Sequence, residues 1–168
     1  VAPPPAHRRG TDRAPVPARL GDDLHVHALL TDDADGAELL AARASRHVLL
    51  EGLGRTGAVV ATTLAAAGVG TLTLADPRPV GPHEPGVGGV TERDVGLPRE
   101  EVAARIVTDL APGTEARPGG RATGRPDLVV LVASYAPDPE RVEAHRAEGL
   151  AVLPVWGTQE NVELLGKV

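Results

Sequence analysis

Cysteine is absent from the 168 residues, which excludes disulfides, thiolate zinc sites and cysteine nucleophiles together. Phenylalanine and methionine are absent too, and Trp156 and Tyr135 are the sole tryptophan and tyrosine. The core must therefore be filled by Leu, Val and Ala, as suits a parallel sheet flanked by Ala-rich helices, and platforms for stacking nucleic-acid bases are missing. A formal net charge of −6 argues against a binder of phosphate backbones, so nucleic acid is not an expected partner. No apolar run approaches the roughly 20 residues that span a bilayer. The opening VAPPPAHRRGTDRAPVPARL lacks the apolar core of a signal peptide. No membrane partner is expected, and the chain reads as cytoplasmic. A sequence that begins with Val and has no Met reads as a fragment or an alternatively started product.

What is present suffices for one α/β domain with a tail. Residues 1–20, rich in Pro, Arg and Ala without periodicity, read as a disordered linker. Residues 21–46 form a lead-in, with a short spacer helix expected in DADGAELLAARASR (33–46). Within it, His25 and His27 of LHVHALL fall on one face of an expected strand, as a solvated edge rather than a metal site. From 47 onward the pattern is strand (HVLLE), glycine turn, Ala-rich helix (55–67) and strand (TLTLAD, 71–76), a βαβ unit with a right-handed crossover. The Pro- and Gly-rich stretch 77–98 is a long loop, functional or mobile. A helix over 99–112, a short edge strand near 115–117, an apolar strand in 126–134, a helix over 138–149 and a strand at 150–155 complete the domain. The expected fold is a Rossmann-like open, mainly parallel sheet with helices on both faces.

Gly52, Gly54 and Gly57 spell G-x-G-x-x-G at the end of the first strand. The first glycine permits a sharp turn, the second admits a phosphate to the backbone, and the third lets helix and sheet approach. The helix amino terminus supplies unpaired N–H groups and partial positive charge. Asp76, at the tip of the second strand, is placed to accept hydrogen bonds from ribose hydroxyls. The alternative is that the glycines serve packing alone.

The run VLLEGLGRTGAVVATTLAAAGVGTLTLAD resembles the ThiF/MoeB/E1 family of ATP-dependent activators of ubiquitin-like carriers, with AAAGVGTLTLAD (65–76) and DVGLPREEVAARI (94–106) as its more specific elements. The resemblance implies ATP at Gly52, Gly54, Arg55 and Gly57, ribose on Asp76, Arg99 at the phosphates with Arg78 or Arg93, and magnesium if the chain is active. Three departures imply that catalysis is lost, with ATP either still held in an idle cradle or lost as well. The family's N-x-x-R-Q is replaced by GPHEPGVGG, Arg99 stands for a Lys, and Ser134 of LVASY stands for a metal-associated Asp. His83 and Glu84 either replace the lost polar set or are ordinary turn residues.

GVGGVTERDVGLPREEVAARI and DPERVEAHRAEGLAVLPV further resemble actinobacterial ThiF-like proteins associated with azoline-forming cyclodehydratases. That resemblance implies a degenerate domain acting as scaffold, with a cyclodehydratase and a precursor peptide as partners and a homodimer as a further expectation. Two other readings stay open. One is an adenylyltransferase activating a carrier carboxylate, and the other an NAD-binding oxidoreductase, for which no proton donor is recognisable.

Overall fold

The computed structural model describes residues 17–30, 36–119 and 124–157, with residues 27–30 described by their backbone alone. A 3-10 turn at Ala18–Leu20 leads into α1 (Gly21–Leu30), followed by α2 (Gly36–Ala44), β1 (His47–Glu51), α3 (Arg55–Ala66) and β2 (Thr71–Ala75). A second 3-10 turn at Glu92–Asp94 precedes α4 (Arg99–Leu110), β3 (Glu115–Pro118), β4 (Leu128–Ala133), α5 (Pro139–Ala147) and β5 (Ala151–Trp156).

The five strands form one sheet in the order β3-β2-β1-β4-β5, with every neighbouring pair parallel. The short apolar strands pack on both faces, and alternate residues divide between them. Val48 and Leu50 of β1, Leu72 and Leu74 of β2 and Val130 of β4 meet Ala61 and Ala65 of α3 and Ala103, Ala104 and Val107 of α4. On the opposite face, Leu49, Val129, Leu131 and Val152 pack against Val142 of α5. Alanine at the α3 contact lets that helix lie close to the strands. A capping Asp138, whose side chain accepts from the Glu140 N–H at 2.9 Å, and Pro139 at the first helical position start α5.

The chain runs outward from β1 through β2 to β3 and then crosses back to β4 on the other side of β1, so the carboxyl ends of β1 and β4 flank the switch point where open α/β sheets bind ligands. The expected β3 is a short polar edge strand, with Glu115 and Arg117 paired at 2.7 Å. At the other edge β5 leaves Leu153 and Trp156 half exposed.

Two expectations for the lead-in change. His25 lies in α1, not in a strand; acids at Asp22 and Asp23 favour a helix start, and His25 Nδ1 sits 2.9 Å from the Gly21 carbonyl. His27 lies in the same helix, so the strand expected for the pair is not formed. Leu20, at the end of the expected linker, is buried against Gly68. The remainder of that linker, residues 1–16, lies outside the described residues. The helix expected as a spacer instead braces the α3–β2 junction, where Arg43 donates to the Ala67 carbonyl at 2.9 Å and Ala44 O lies against Gly70.

The core predicts a sharp contrast in stability. Leu72→Ala, at a fully buried site, should lower unfolding free energy by about 2–5 kcal/mol in urea denaturation, whereas Leu153→Ala should change it by less than about 0.5 kcal/mol.

Candidate functional site

The three glycines at the end of β1 differ in what the chain itself requires of them. Gly52 has φ +89°, and a Cβ there would lie 2.2 Å from the Val132 carbonyl oxygen of β4. A Cβ on Gly57 would lie 1.9 Å from the Gly52 carbonyl oxygen. These two are needed by the turn and by the approach of α3. Gly54 is the N-cap of α3 with negative φ, and the nearest atom to its absent Cβ is a carboxylate oxygen of Glu84 at 3.8 Å. Nothing in the chain's backbone demands glycine at 54.

Asp76 follows β2 directly and lies at the same carboxyl edge. The residue is 3% exposed. Its Oδ2 accepts from the Leu53 N–H at 2.9 Å, from Arg78 Nη2 at 2.8 Å and from Arg99 Nη1 at 3.1 Å. Its Oδ1 accepts from Arg78 Nε at 2.7 Å and the Arg78 N–H at 3.3 Å. Burial pushes the Asp76 carboxyl up, but the hydrogen bonds from Arg78, the Leu53 N–H and Arg99 together outweigh it and hold the group at about 2, against an ordinary 3.8.

Arg99, the first residue of α4, reaches from Asp76 to Glu84. Its Nε donates to Glu84 Oε2 at 3.1 Å and its Nη2 to Oε1, a two-point fork on a carboxylate that is 4% exposed. Glu84 Oε2 also accepts from the Gly81 N–H at 3.2 Å. Arg55, at the start of α3, donates to the His83 carbonyl at 2.8 Å. Two carboxylates and two guanidiniums, Asp76, Glu84, Arg78 and Arg99, thus form a cluster that is neutral in itself.

The loop that carries Glu84 is anchored at a few buried points, Val80, Glu84, Val90 and Asp94. Val80 N–H donates to Leu97 O and Gly96 N–H to Val80 O, both at 2.9 Å, which ties the loop's two ends together. Val80 and Val90 bury against Ala58 of α3 and Val102 of α4. Thr91 and Asp94 form a capping box, and Arg105 pairs with Asp94 at 2.7 Å.

All six expected site residues, Gly52, Gly54, Arg55, Gly57, Asp76 and Arg99, are therefore gathered around the carboxyl ends of β1 and β2 and the start of α3. Ser134 follows β4 at the same edge and is exposed. Spacing in the sequence leaves Glu84 between two roles and gives no sign that Arg78 and Arg99 share Asp76. A residue not expected at the site is Glu51 at the end of β1, paired with Arg141 at 2.7 Å and His145 at 3.3 Å on the α5 face. An acid ending an apolar strand was the available signal. No group of three metal-binding side chains occurs among the described residues.

The ThiF family model matches residues 27–136, well over half of the chain. The chain belongs to the ThiF family. No curated protein sequence matches it. Among solved structures, the ThiF-family domain is similar to E. coli TcdA, a tRNA N6-threonylcarbamoyladenosine dehydratase, in complex with AMP. TcdA shows 19% identity and a TM-score of 0.65, over 79% of this chain and 57% of TcdA. E. coli MccB with ATP shows 17% identity and a TM-score of 0.63, over 72% of this chain and 39% of MccB, and MccB has also been solved with MccA. PaaA shows 18% identity and a TM-score of 0.70, over 83% of this chain and 50% of PaaA. At these identities the likeness shows the fold, and the chain spans about half the length of these structures or somewhat more or less.

Two outcomes are expected at this site. Gly52→Ala and Gly57→Ala should each cost several kcal/mol in thermal or urea unfolding, because backbone oxygens occupy the Cβ positions, whereas Gly54→Ala should cost no more than about 1 kcal/mol, as expected of alanine at an N-cap. A depressed folded-state pKa contributes stability above the ordinary value that is lost as pH falls through the folded one. The wild type should therefore exceed Asp76→Asn by on the order of 2 kcal/mol near neutrality, and urea midpoints should show that margin shrinking between about pH 4 and pH 2.

Proposed function

We propose that this ThiF-type domain has a degenerate nucleotide cradle and works as a scaffold or partner protein in azoline formation on a ribosomally made peptide. One observation carries the reading: each arginine around the glycine turn is engaged by the chain itself, Arg55 by the His83 carbonyl, Arg78 by Asp76, and Arg99 by Asp76 and Glu84. Adenylyl transfer is promoted by cations at the phosphates and by a carboxylate holding magnesium. In this arrangement the three guanidiniums are committed, and the hydroxyl of Ser134 cannot replace a carboxylate as a hard ligand for magnesium. Residues so disposed do not fit a bound magnesium triphosphate, and no chemical step is assigned to one. The sequence likeness to cyclodehydratase-associated ThiF-like proteins supplies the partners, a cyclodehydratase and a precursor peptide. That MccB has been solved with MccA is consistent with a partner-binding role for the fold.

The second reading, an ATP-dependent adenylyltransferase acting on a carrier carboxylate, is favoured by the space beside Gly54 and by the ATP and AMP complexes of the similar structures. Carrier-dependent exchange of pyrophosphate into ATP separates the two. This chain should show none at saturating carrier while binding a cyclodehydratase in co-purification. Robust exchange, abolished by Asp76→Ala, would replace the scaffold with the enzyme.

A further inference from the structure

We propose that Glu84 is a specificity-determining residue that excludes polyanions from the amino end of α3, its carboxylate taking the place of a phosphate there. The inference deepens the degenerate-cradle reading and rests on it. Four observations converge. The carboxylate is buried and lies beside Gly54, the one glycine of the turn whose lack of a side chain the chain's own packing does not explain. Gly54 caps α3 with no side-chain partner, so the helix presents its partial positive charge to that space. Glu84 receives the fork of Arg99, a guanidinium that would otherwise be open to an anionic ligand. Its position is built into the fold, since Arg55 holds the neighbouring His83 carbonyl, the Gly81 N–H holds Oε2, and Val80 and Val90 anchor the loop on either side.

A carboxylate in that position acts twice against a nucleotide. It neutralises Arg99, and it sets a negative charge against any phosphate approaching Gly54. Removing only the charge should convert the site: Arg99 would be left without a full counter-ion in a buried setting, a state that an external anion relieves.

Isothermal titration calorimetry of ATP, with and without magnesium, into wild type, Glu84→Gln and Glu84→Ala tests this. Both variants should bind ATP about tenfold or more tightly than wild type, and Arg99→Ala added to Glu84→Gln should return affinity to the wild-type level. Equal affinity in wild type and folded Glu84→Gln would overturn the role of Glu84. A measurement on the wild type alone guards against variants that fail to fold. In amide NMR spectra, pyrophosphate titrated into the intact chain should leave Leu53, Gly54 and Arg55 unmoved up to millimolar concentration, and saturable shifts of these amides at micromolar pyrophosphate would equally overturn it. Pyrophosphate exchange by the wild type, by contrast, bears on the degenerate-cradle reading itself, so the two failures are distinguishable.

Discussion

The carboxylate of Asp76 is the contact on which the site's geometry depends. Through the Leu53 N–H it fastens the end of β2 to the turn after β1, and through Arg99 it fastens both to the start of α4. Its main chain is held as well, since the Asp76 N–H donates to a Glu100 carboxylate oxygen at 3.2 Å. An ionised carboxylate offers about four lone-pair sites, and five donors already point at this one. A group so saturated works as a bolt between elements and has no acceptor capacity left for ribose hydroxyls until Arg78 swings away. Arg78 is the outermost of its partners, with a side chain 68% exposed, and it shields the bolt from solvent.

Much of this was legible before the structure. The βαβ unit declared itself through an apolar run, glycines at fixed offsets and an Ala-rich helix, because each feature answers a local steric demand. Gly52 and Gly57 are demanded by carbonyl oxygens within covalent reach of an added Cβ, and such demands leave a direct imprint on sequence. The polar edge strand β3 was legible for a similar reason, since an edge strand tolerates charge and Pro. The lead-in was not. LHVHALL alternates as a strand does, and the acids that favour a helix start, Asp22 and Asp23, lie just before that run. The ion-pair pattern was hidden as well, because a guanidinium can choose among several acids and spacing in sequence says nothing of which it meets. Glu84 sits in a Pro- and Gly-rich stretch that reads as loop, and its burial follows from Val80 and Val90, two residues whose partners lie on α3 and α4.

Membership of the ThiF family and likeness to TcdA, MccB and PaaA describe a shared sheet and a shared switch point, while chemistry on such a fold is decided by a few side chains at the strand ends. Here those side chains form a closed set of charges. Asp76, Glu84, Arg78 and Arg99 pair with one another and so hold the glycine turn, the 77–98 loop and the start of α4 together.

The scarcity of aromatic residues gives the chain an unusual optical character. Trp156 ends β5 half exposed, Tyr135 follows β4 and is more exposed still, and neither belongs to the Leu, Val and Ala core. Indole emission from this protein therefore comes from one water-exposed point on an open sheet edge. It is poorly suited to following the loss of the core on unfolding. It is well placed to register any surface that settles against β5, as a native chromophore stationed at the margin of the sheet.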